Sequence, residues 1–333
     1  MADVVTFGEI MLRLSPPGRQ RLAQAAHFEI TFGGAEANVA VMLARLGASA
    51  AFVTKLPENE LAQRAIDELR GLGVNVEHIA RGGERIGVYF LEQGASQRAG
   101  KVIYDRANSA IAQAQPDDFD WPRIFAGAKW LHWSGITPAL SEAAARSVSE
   151  ACAEAKRRGL TVSFDLNFRA KLWSCEAAGK TLAPLMRHVD LCITSVEEAR
   201  TVFGLALEDA APNREVDAAR RLQERFGFKT IALTMRSADT ADSTSWSAML
   251  FAEKTAFFSR RHEIRVVDRV GAGDSFSGAL IFALRRGDDP QRAIDFAVAA
   301  SALKHTIPGD YNLVSLKEVE ALAAGAGGGR VQR

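Results

Sequence analysis

Along most of the chain, short apolar runs of strand length alternate with stretches in which apolar residues return every three or four positions. Val4–Glu9, Ala50–Lys55, Lys129–Ser134, Leu160–Asp165, Val189–Thr194 and Thr230–Thr234 read as strands. Between them, Leu61, Ala65, Ile66, Leu69 and Leu72 fall on one helical face. Ser141 to Gly159 carries the punctuation of a helix: a serine cap, an early Glu142, a basic last turn and a terminal glycine. Strands alternating with helices predict an α/β fold whose central sheet is mostly parallel and covered on both faces.

Two segments break that rhythm. Arg85–Gln93 and Lys101–Ala107 are strand-like, with only the polar loop Gly94–Gly100 between them. Met11–Leu14 and His27–Phe32 join them in a predicted small antiparallel sheet, a lid built from about 11–32 and 85–107. Tyr104 and Arg106 are two apart and share a face. An aromatic ring and a cation on a lid suit an acidic polyol, and the same spacing equally fits a solvated edge strand with Tyr104 as a packing spacer.

Polar residues gather just after the predicted strands, in Asp165-Leu-Asn-Phe-Arg169, Ser195-Val-Glu-Glu198 and Met235-Arg236. One such residue usually caps the next helix, but ligands of open α/β sheets collect at the carboxyl ends of strands. Gly271-Ala272-Gly273-Asp274 adds a further signal, following Ile264–Val267 and opening the apolar run Ser275–Leu284. Small residues at a helix start leave backbone N–H groups uncovered, where the helix dipole favours an anion. A carboxylate there repels phosphate unless it takes a proton from a nucleophile attacking that phosphate, so the pattern fits phosphoryl transfer. Read alone, the turn is also an ordinary helix cap. A dinucleotide fingerprint would need glycine where Phe276 stands, and no Gly-x4-Gly-Lys-Ser/Thr loop occurs.

Composition removes other classes. With 333 residues, 47% hydrophobic and 24% charged, the chain can form one large domain with an excursion, or two domains. A net charge of +1 with interspersed signs gives no nucleic-acid or membrane surface. No stretch approaches the ~20 apolar residues of a membrane span, and Val4-Val5-Thr6-Phe7 starts a strand rather than a signal segment. Cys152, Cys175 and Cys192 are widely spaced and lack a Cys-x-x-Cys form, which predicts reduced thiols and a cytoplasmic setting. Six scattered histidines have no metal-ligand spacing. The segment 323–333 is glycine- and alanine-rich and reads as a disordered tail, leaving 1–322 as the folded domain.

Apart from that tail, the chain resembles the ribokinase-like (PfkB) carbohydrate kinases over its whole length. The signatures are Gly33-Gly34-Ala35-Glu36-Ala37-Asn38-Val39-Ala40 and the Asp268–Gly278 stretch, in the family's order and spacing. Within the family it is most similar to the 2-keto-3-deoxygluconate kinases. The residues carrying this are Gly8-Glu9, Tyr104-Asp-Arg106-Ala-Asn-Ser-Ala110, Asp165–Arg169 with Leu172-Trp173, and Ile307-Pro-Gly-Asp310. The resemblance implies a three-layer sandwich with a small β-sheet lid. Gly33, Gly34 and Asn38 would line the sugar site, with Tyr89, Tyr104 and Arg106 from the lid and Arg169 and Asp310 beside the substrate. Gly271, Ala272 and Gly273 would form the anion hole, and Asp274 would be the base. Asn167, Ser195, Thr234 and Arg236 would meet the nucleotide, and Glu198 would organise magnesium through water. ATP and Mg2+ are the implied cofactors, with a K+ requirement left open, and the lid is the implied contact of a homodimer or higher homo-oligomer.

A sugar acid agrees with this residue set, because its carboxylate asks for the cations and hydroxyls that Arg106, Arg169, Tyr89 and Tyr104 offer. The expected reaction is transfer from ATP to the terminal hydroxyl of 2-keto-3-deoxygluconate, giving the 6-phosphate. Two other readings stay open: a kinase of the same fold for keto-deoxygalactonate, fructose or ribose, and a non-catalytic sugar-acid-binding protein. Three departures from the family pattern stand out. Ser195 replaces the asparagine of Asn-x-x-Glu, and Arg269 stands where a small or hydroxylated residue is usual. The glycine-bearing nucleotide loop is replaced by Thr234-Met-Arg-Ser-Ala-Asp239 and the insert Thr240–Trp246, so this end of the site is expected to be built differently.

Overall fold

Runs that are apolar at every position need two cores, one on each face of the sheet, and the fold provides them. The computed structural model describes residues 2–207 and 213–326. Its strands, in chain order, are β1 (Val4–Phe7), β2 (Met11–Ser15), β3 (Glu29–Gly33), β4 (Ala50–Leu56), β5 (Ile79–Arg81), β6 (Gly87–Glu92) and β7 (Lys101–Asp105). Then follow β8 (Trp130–Ser134), β9 (Thr161–Asp165), β10 (Leu191–Thr194), β11 (Thr230–Thr240), β12 (Ser243–Ala252), β13 (Thr255–Phe258) and β14 (His262–Arg265). The large sheet runs β13-β12-β11-β10-β9-β8-β1-β4-β5, with β14 beside β12. From β11 to β5 every pairing is parallel, and β12 pairs antiparallel with β11, β13 and β14.

Successive side chains of a strand leave opposite faces. On β4, Phe52 and Leu56 enter one core while Ala51 and Val53 enter the other, and on β10 Leu191 and Ile193 oppose Cys192 in the same way. The first core is closed by helices Ala35–Arg45, Glu60–Gly71, Ala272–Arg286, Pro290–Lys304 and Leu316–Ala323. Helices Glu142–Arg157, Cys175–Leu182, Val196–Phe203 and Arg214–Phe226 close the second. The predicted helix start holds in atomic detail, since Ser141 Oγ accepts from the Ala144 N–H at 3.0 Å. Cys152, Cys175 and Cys192 are unpaired thiols. Among the described residues no helix is long and apolar enough to cross a membrane.

The lid is a separate four-stranded sheet in the order β3-β2-β6-β7. It is mixed rather than antiparallel throughout. Its outer pairs are antiparallel, but β2 and β6 run parallel. The chain passes through helices and through β4 and β5 of the large sheet before returning as β6, so no hairpin forces a reversal there. The strand predicted to end at Thr234 continues to Thr240 and turns back as β12, which makes the insert an arm of the large sheet. The helix ending at Ala323 is closed by N–H groups of 324–326 donating back into its last turn. The rest of the predicted disordered tail, 327–333, lies outside the described residues.

Candidate active site

A cleft of about 860 Å³ opens between the lid and the carboxyl ends of the parallel strands. Every residue assigned above to sugar, nucleotide, metal or proton transfer lines it. At its floor β14 leads into the helix Ala272–Arg286 through Gly271, which has φ 81°. A Cβ on Gly271 would lie 1.9 Å from the Asp310 carbonyl oxygen, so only glycine fits both the dihedral and the contact. No side chain caps this helix. The Ala272 N–H reaches the Arg269 carbonyl at 3.3 Å, which corrects its expected share in the anion hole and leaves the N–H groups of Gly273 and Asp274 for a ligand. A Cβ on Gly273 would meet nothing within 4 Å, as expected of backbone bordering open cleft.

Asp274 is half-buried at the edge of the cleft, and its Oδ2 accepts from Asn38 Nδ2 at 2.6 Å. Burial pushes its carboxyl up to about 6, against the Asn38 hydrogen bond and the nearby Arg169 charge, which favour the ionised form. Asp165, at the end of β9, is raised well above the usual carboxylate range by burial, with Glu198 and Asp274 adding like-charge repulsion. Glu198 accepts from the Phe168 N–H at 3.1 Å and closes a capping box with Ser195. Serine in place of asparagine thus serves as the N-cap of Val196–Phe203, with the Glu198 N–H donating to Ser195 Oγ at 3.2 Å. Among the described residues no group of three or more His, Cys, Asp or Glu is arranged to hold a metal directly.

At the lid end, Gly33 and Gly34 mark places where chains approach closely. A Cβ on Gly33 would sit 1.9 Å from Asp310 Oδ2, and one on Gly34 1.9 Å from the Glu9 carbonyl. Asp310 accepts from Arg13 Nη1 at 2.7 Å and from the Tyr89 hydroxyl at 2.6 Å. Arg13 also donates to Asp268 at 2.6 Å, and Asp268 accepts from the Val270 and Gly309 N–H groups at 3.0 and 3.1 Å. The first aspartate of the second signature is therefore a staple that ties the anion turn to the lid.

Arg106 differs from expectation. Its guanidinium forms an ion pair with Glu9, itself an acceptor for Ser109 Oγ at 2.7 Å, so its charge is largely answered within the protein. Its buried Nε has no hydrogen-bond partner, and its Cζ lies 5.3 Å from the Tyr104 ring centroid. Arg169 Nη1 donates to the carbonyls of Asn167 and Phe168, at 3.4 and 3.1 Å, and the Arg169 charge acts on both Asp165 and Asp274. Asn167 takes φ 41°, a left-handed conformation that asparagine tolerates better than most side chains.

At the far end, Thr234 Oγ1 donates to the Thr194 carbonyl at 3.3 Å, and the exposed Arg236 stands on the extended β11. Two departures from the family pattern explain one another here. Arg269 Nη2 donates to the carbonyls of Thr240, Ala241 and Ser243 at 2.7, 3.1 and 3.0 Å, so the unusual arginine clamps the turn of the unusual hairpin. Trp246 of that hairpin lines the cleft with its ring 5.6 Å from His305, and its buried Nε1 has no partner.

The profile of the pfkB family carbohydrate kinases matches residues 1–316. The chain belongs to that family. It is similar to a 2-dehydro-3-deoxygalactonokinase of Haloferax volcanii, 38% identical over 328 residues and covering 98% of each chain. A 2-dehydro-3-deoxygluconokinase of Thermoproteus tenax is 31% identical, over 97% of this chain and 94% of that one. A crystal structure of the 2-dehydro-3-deoxygluconokinase of Thermotoga maritima superposes with a TM-score of 0.95 at 50% identity, covering 97% and 98% of the two chains.

Some residues of this carbohydrate kinase that shape the cleft escaped the sequence reading. Asp165 was visible only as part of a polar cluster, although a carboxylate ending an apolar strand is itself a signal. Arg13, a cation in the apolar run Met11-Leu-Arg-Leu14, marked a buried pair whose partners lie 255 and 297 positions away. Glu36, within the first signature, accepts from the Ser134 N–H and Thr137 Oγ1 at 2.9 and 3.1 Å, and burial pushes it up to about 7.

Proposed function

We propose that this kinase phosphorylates the terminal hydroxyl of 2-keto-3-deoxygluconate to the 6-phosphate, with Asp274 as the base. ATP would supply the phosphoryl group, with Mg2+ offsetting charge on its oxygens. The observation that carries the reading is Asp274 itself, a half-buried carboxyl raised to about 6, standing at an uncapped helix start and held by Asn38. Asp274 would accept the hydroxyl proton while the Gly273 and Asp274 N–H groups stabilise the transferring phosphate. Asp165 and Glu198 would receive water ligands of magnesium. Thr234, Arg236, Asn167 and Ser195 would border the nucleotide, while Asp310 and Tyr89, locked together, would shape the sugar end. The two relatives and the crystal structure above carry sugar-acid kinase names, and Arg169 supports the same class by offering a cation for a substrate carboxylate. The Haloferax relative favours a second reading, the galacto epimer, which differs in one hydroxyl.

Coupled ADP release with Mg-ATP against both keto-deoxy acids, fructose, ribose and no sugar tests this. Turnover confined to the keto-deoxy acids is expected, and their kcat/KM ratio ranks the epimers. Turnover on a neutral sugar alone would overturn the sugar-acid reading.

Lid-to-lid dimerisation fits the same fold. Ile30, Leu14, Phe90 and Ile103 lie in register across the four strands on one face, with Ile30 and Ile103 39% and 42% exposed. A monomer by sedimentation at micromolar concentration would remove that reading.

A further inference from the structure

Helix Pro290–Lys304 is built mainly of alanine and other apolar residues, yet it ends on a lysine with no exposed surface. An ammonium is buried only where other groups answer it. Lys304 Nζ donates to the Ile307 carbonyl at 3.0 Å, and the carboxylates of Asp268, Asp310 and Asp274 act on it while Arg13 opposes them. The same stretch grips the anion turn at other points. Ser301 Oγ donates to the Ala272 carbonyl at 2.8 Å, and the His305 carbonyl accepts from the N–H groups of Val267 and Asp268 at 2.8 and 3.2 Å. Where a Cβ of Gly271 would stand, Lys304 Cε is 3.4 Å away and the Asp310 carbonyl oxygen 1.9 Å. Lys304 does not line the cleft, so it sits behind the turn, on the side away from the ligand space.

Arg13 and Lys304 together balance Asp268 and Asp310. Without Lys304, a net negative charge would lie beneath a turn that has to hold phosphate. Burial lowers the Lys304 pKa, and the surrounding carboxylates pull it back towards the charged form. We propose that Lys304 is the resident cation of the anion turn: a positioning residue that ties the 307–310 loop beneath Gly271 and replaces a free monovalent cation at this place. This rests on the phosphoryl-transfer reading of the cleft.

The experiment compares wild type, Lys304→Met and Lys304→Ala in buffers containing only Na+, K+ or NH4+, with kcat, KM and melting temperature read for each. Wild type is expected to be indifferent to the cation. Folded Lys304→Met should lose about 10²-fold in kcat, the scale of a lost charge-stabilising group, with little change in sugar KM. Lys304→Ala should regain part of its kcat in K+ or NH4+ and melt higher in those salts, because a cation bound only by the native state stabilises it. Wild-type activity that requires K+, or a folded Lys304→Met with wild-type kcat, would overturn the proposal. Should neither variant fold, the wild-type cation series decides alone. If wild type turns over no sugar, the kinase reading fails by itself, and the salt dependence of Lys304→Ala melting still reads the cation site.

Discussion

Replacing Asn38 by leucine should move the pH dependence of the reaction, because the Asn38 amide is the hydrogen-bond donor that holds Asp274 ionised. The donor lies 2.6 Å from Asp274 Oδ2 and is buried, and leucine keeps the same side-chain branching but has no N–H. Asp274 already sits at about 6 because burial outweighs this bond. A hydrogen bond to a charged group contributes about 1.5–3 kcal/mol, and each pKa unit corresponds to about 1.4 kcal/mol, so its loss should raise Asp274 by about 1–2 units. The acidic limb of kcat, where the base must be deprotonated, should then move to about 7–8. At pH 7 the ionised fraction would fall from about 90% to between about 10 and 50%. The assay is kcat at saturating sugar from pH 5 to 9.5, which separates the proton effect from any loss of sugar contact at Asn38. An acidic limb that stays in place, or moves down, would refute the assignment of Asp274 as the titrating base held by Asn38.

Other outcomes follow from the same cleft. Asp274→Asn should cut kcat by about 10²–10⁴-fold, the range of a general base, and yet raise stability at pH 8. Because the folded carboxyl binds its proton more tightly than the unfolded one, stability falls as pH rises from 3.8 to about 6. That difference amounts to about 3 kcal/mol, which the amide avoids; a melting temperature no higher than wild type at pH 8 would contradict this. Gly271→Ala should lower the melting temperature and abolish turnover, because its Cβ would meet the Asp310 carbonyl at 1.9 Å with φ at 81°. Gly273→Ala, with nothing within 4 Å, should leave stability unchanged and weaken ATP binding instead; equal loss of stability in both variants would contradict the geometry. Arg13→Met strands Asp268 and Asp310 in the interior and should cost about 3–5 kcal/mol in denaturant unfolding, and a loss below about 1 kcal/mol would show that those carboxylates are answered elsewhere.

By itself the sequence determined the layered sheet, the lid as a second sheet, and the turn at 271–274. These depend on local patterns: alternation with period two, helical spacing, caps, and glycine where φ is positive. Ser141 and its helix lay within one stretch of chain and could be read there. The sequence could not say which charges answer which. Arg106, expected to meet a substrate carboxylate, pairs with Glu9 from 97 positions away. Arg13 joins Asp310 across 297 positions, and Arg269 closes a hairpin whose existence the strand pattern did not reveal. The parallel pairing of β2 with β6 also depends on the path of the chain between them. In each case the partner is set by where packed elements come to rest, and burial then makes that partner energetically binding, because a charge withdrawn from water must be answered by whatever group the fold has brought beside it.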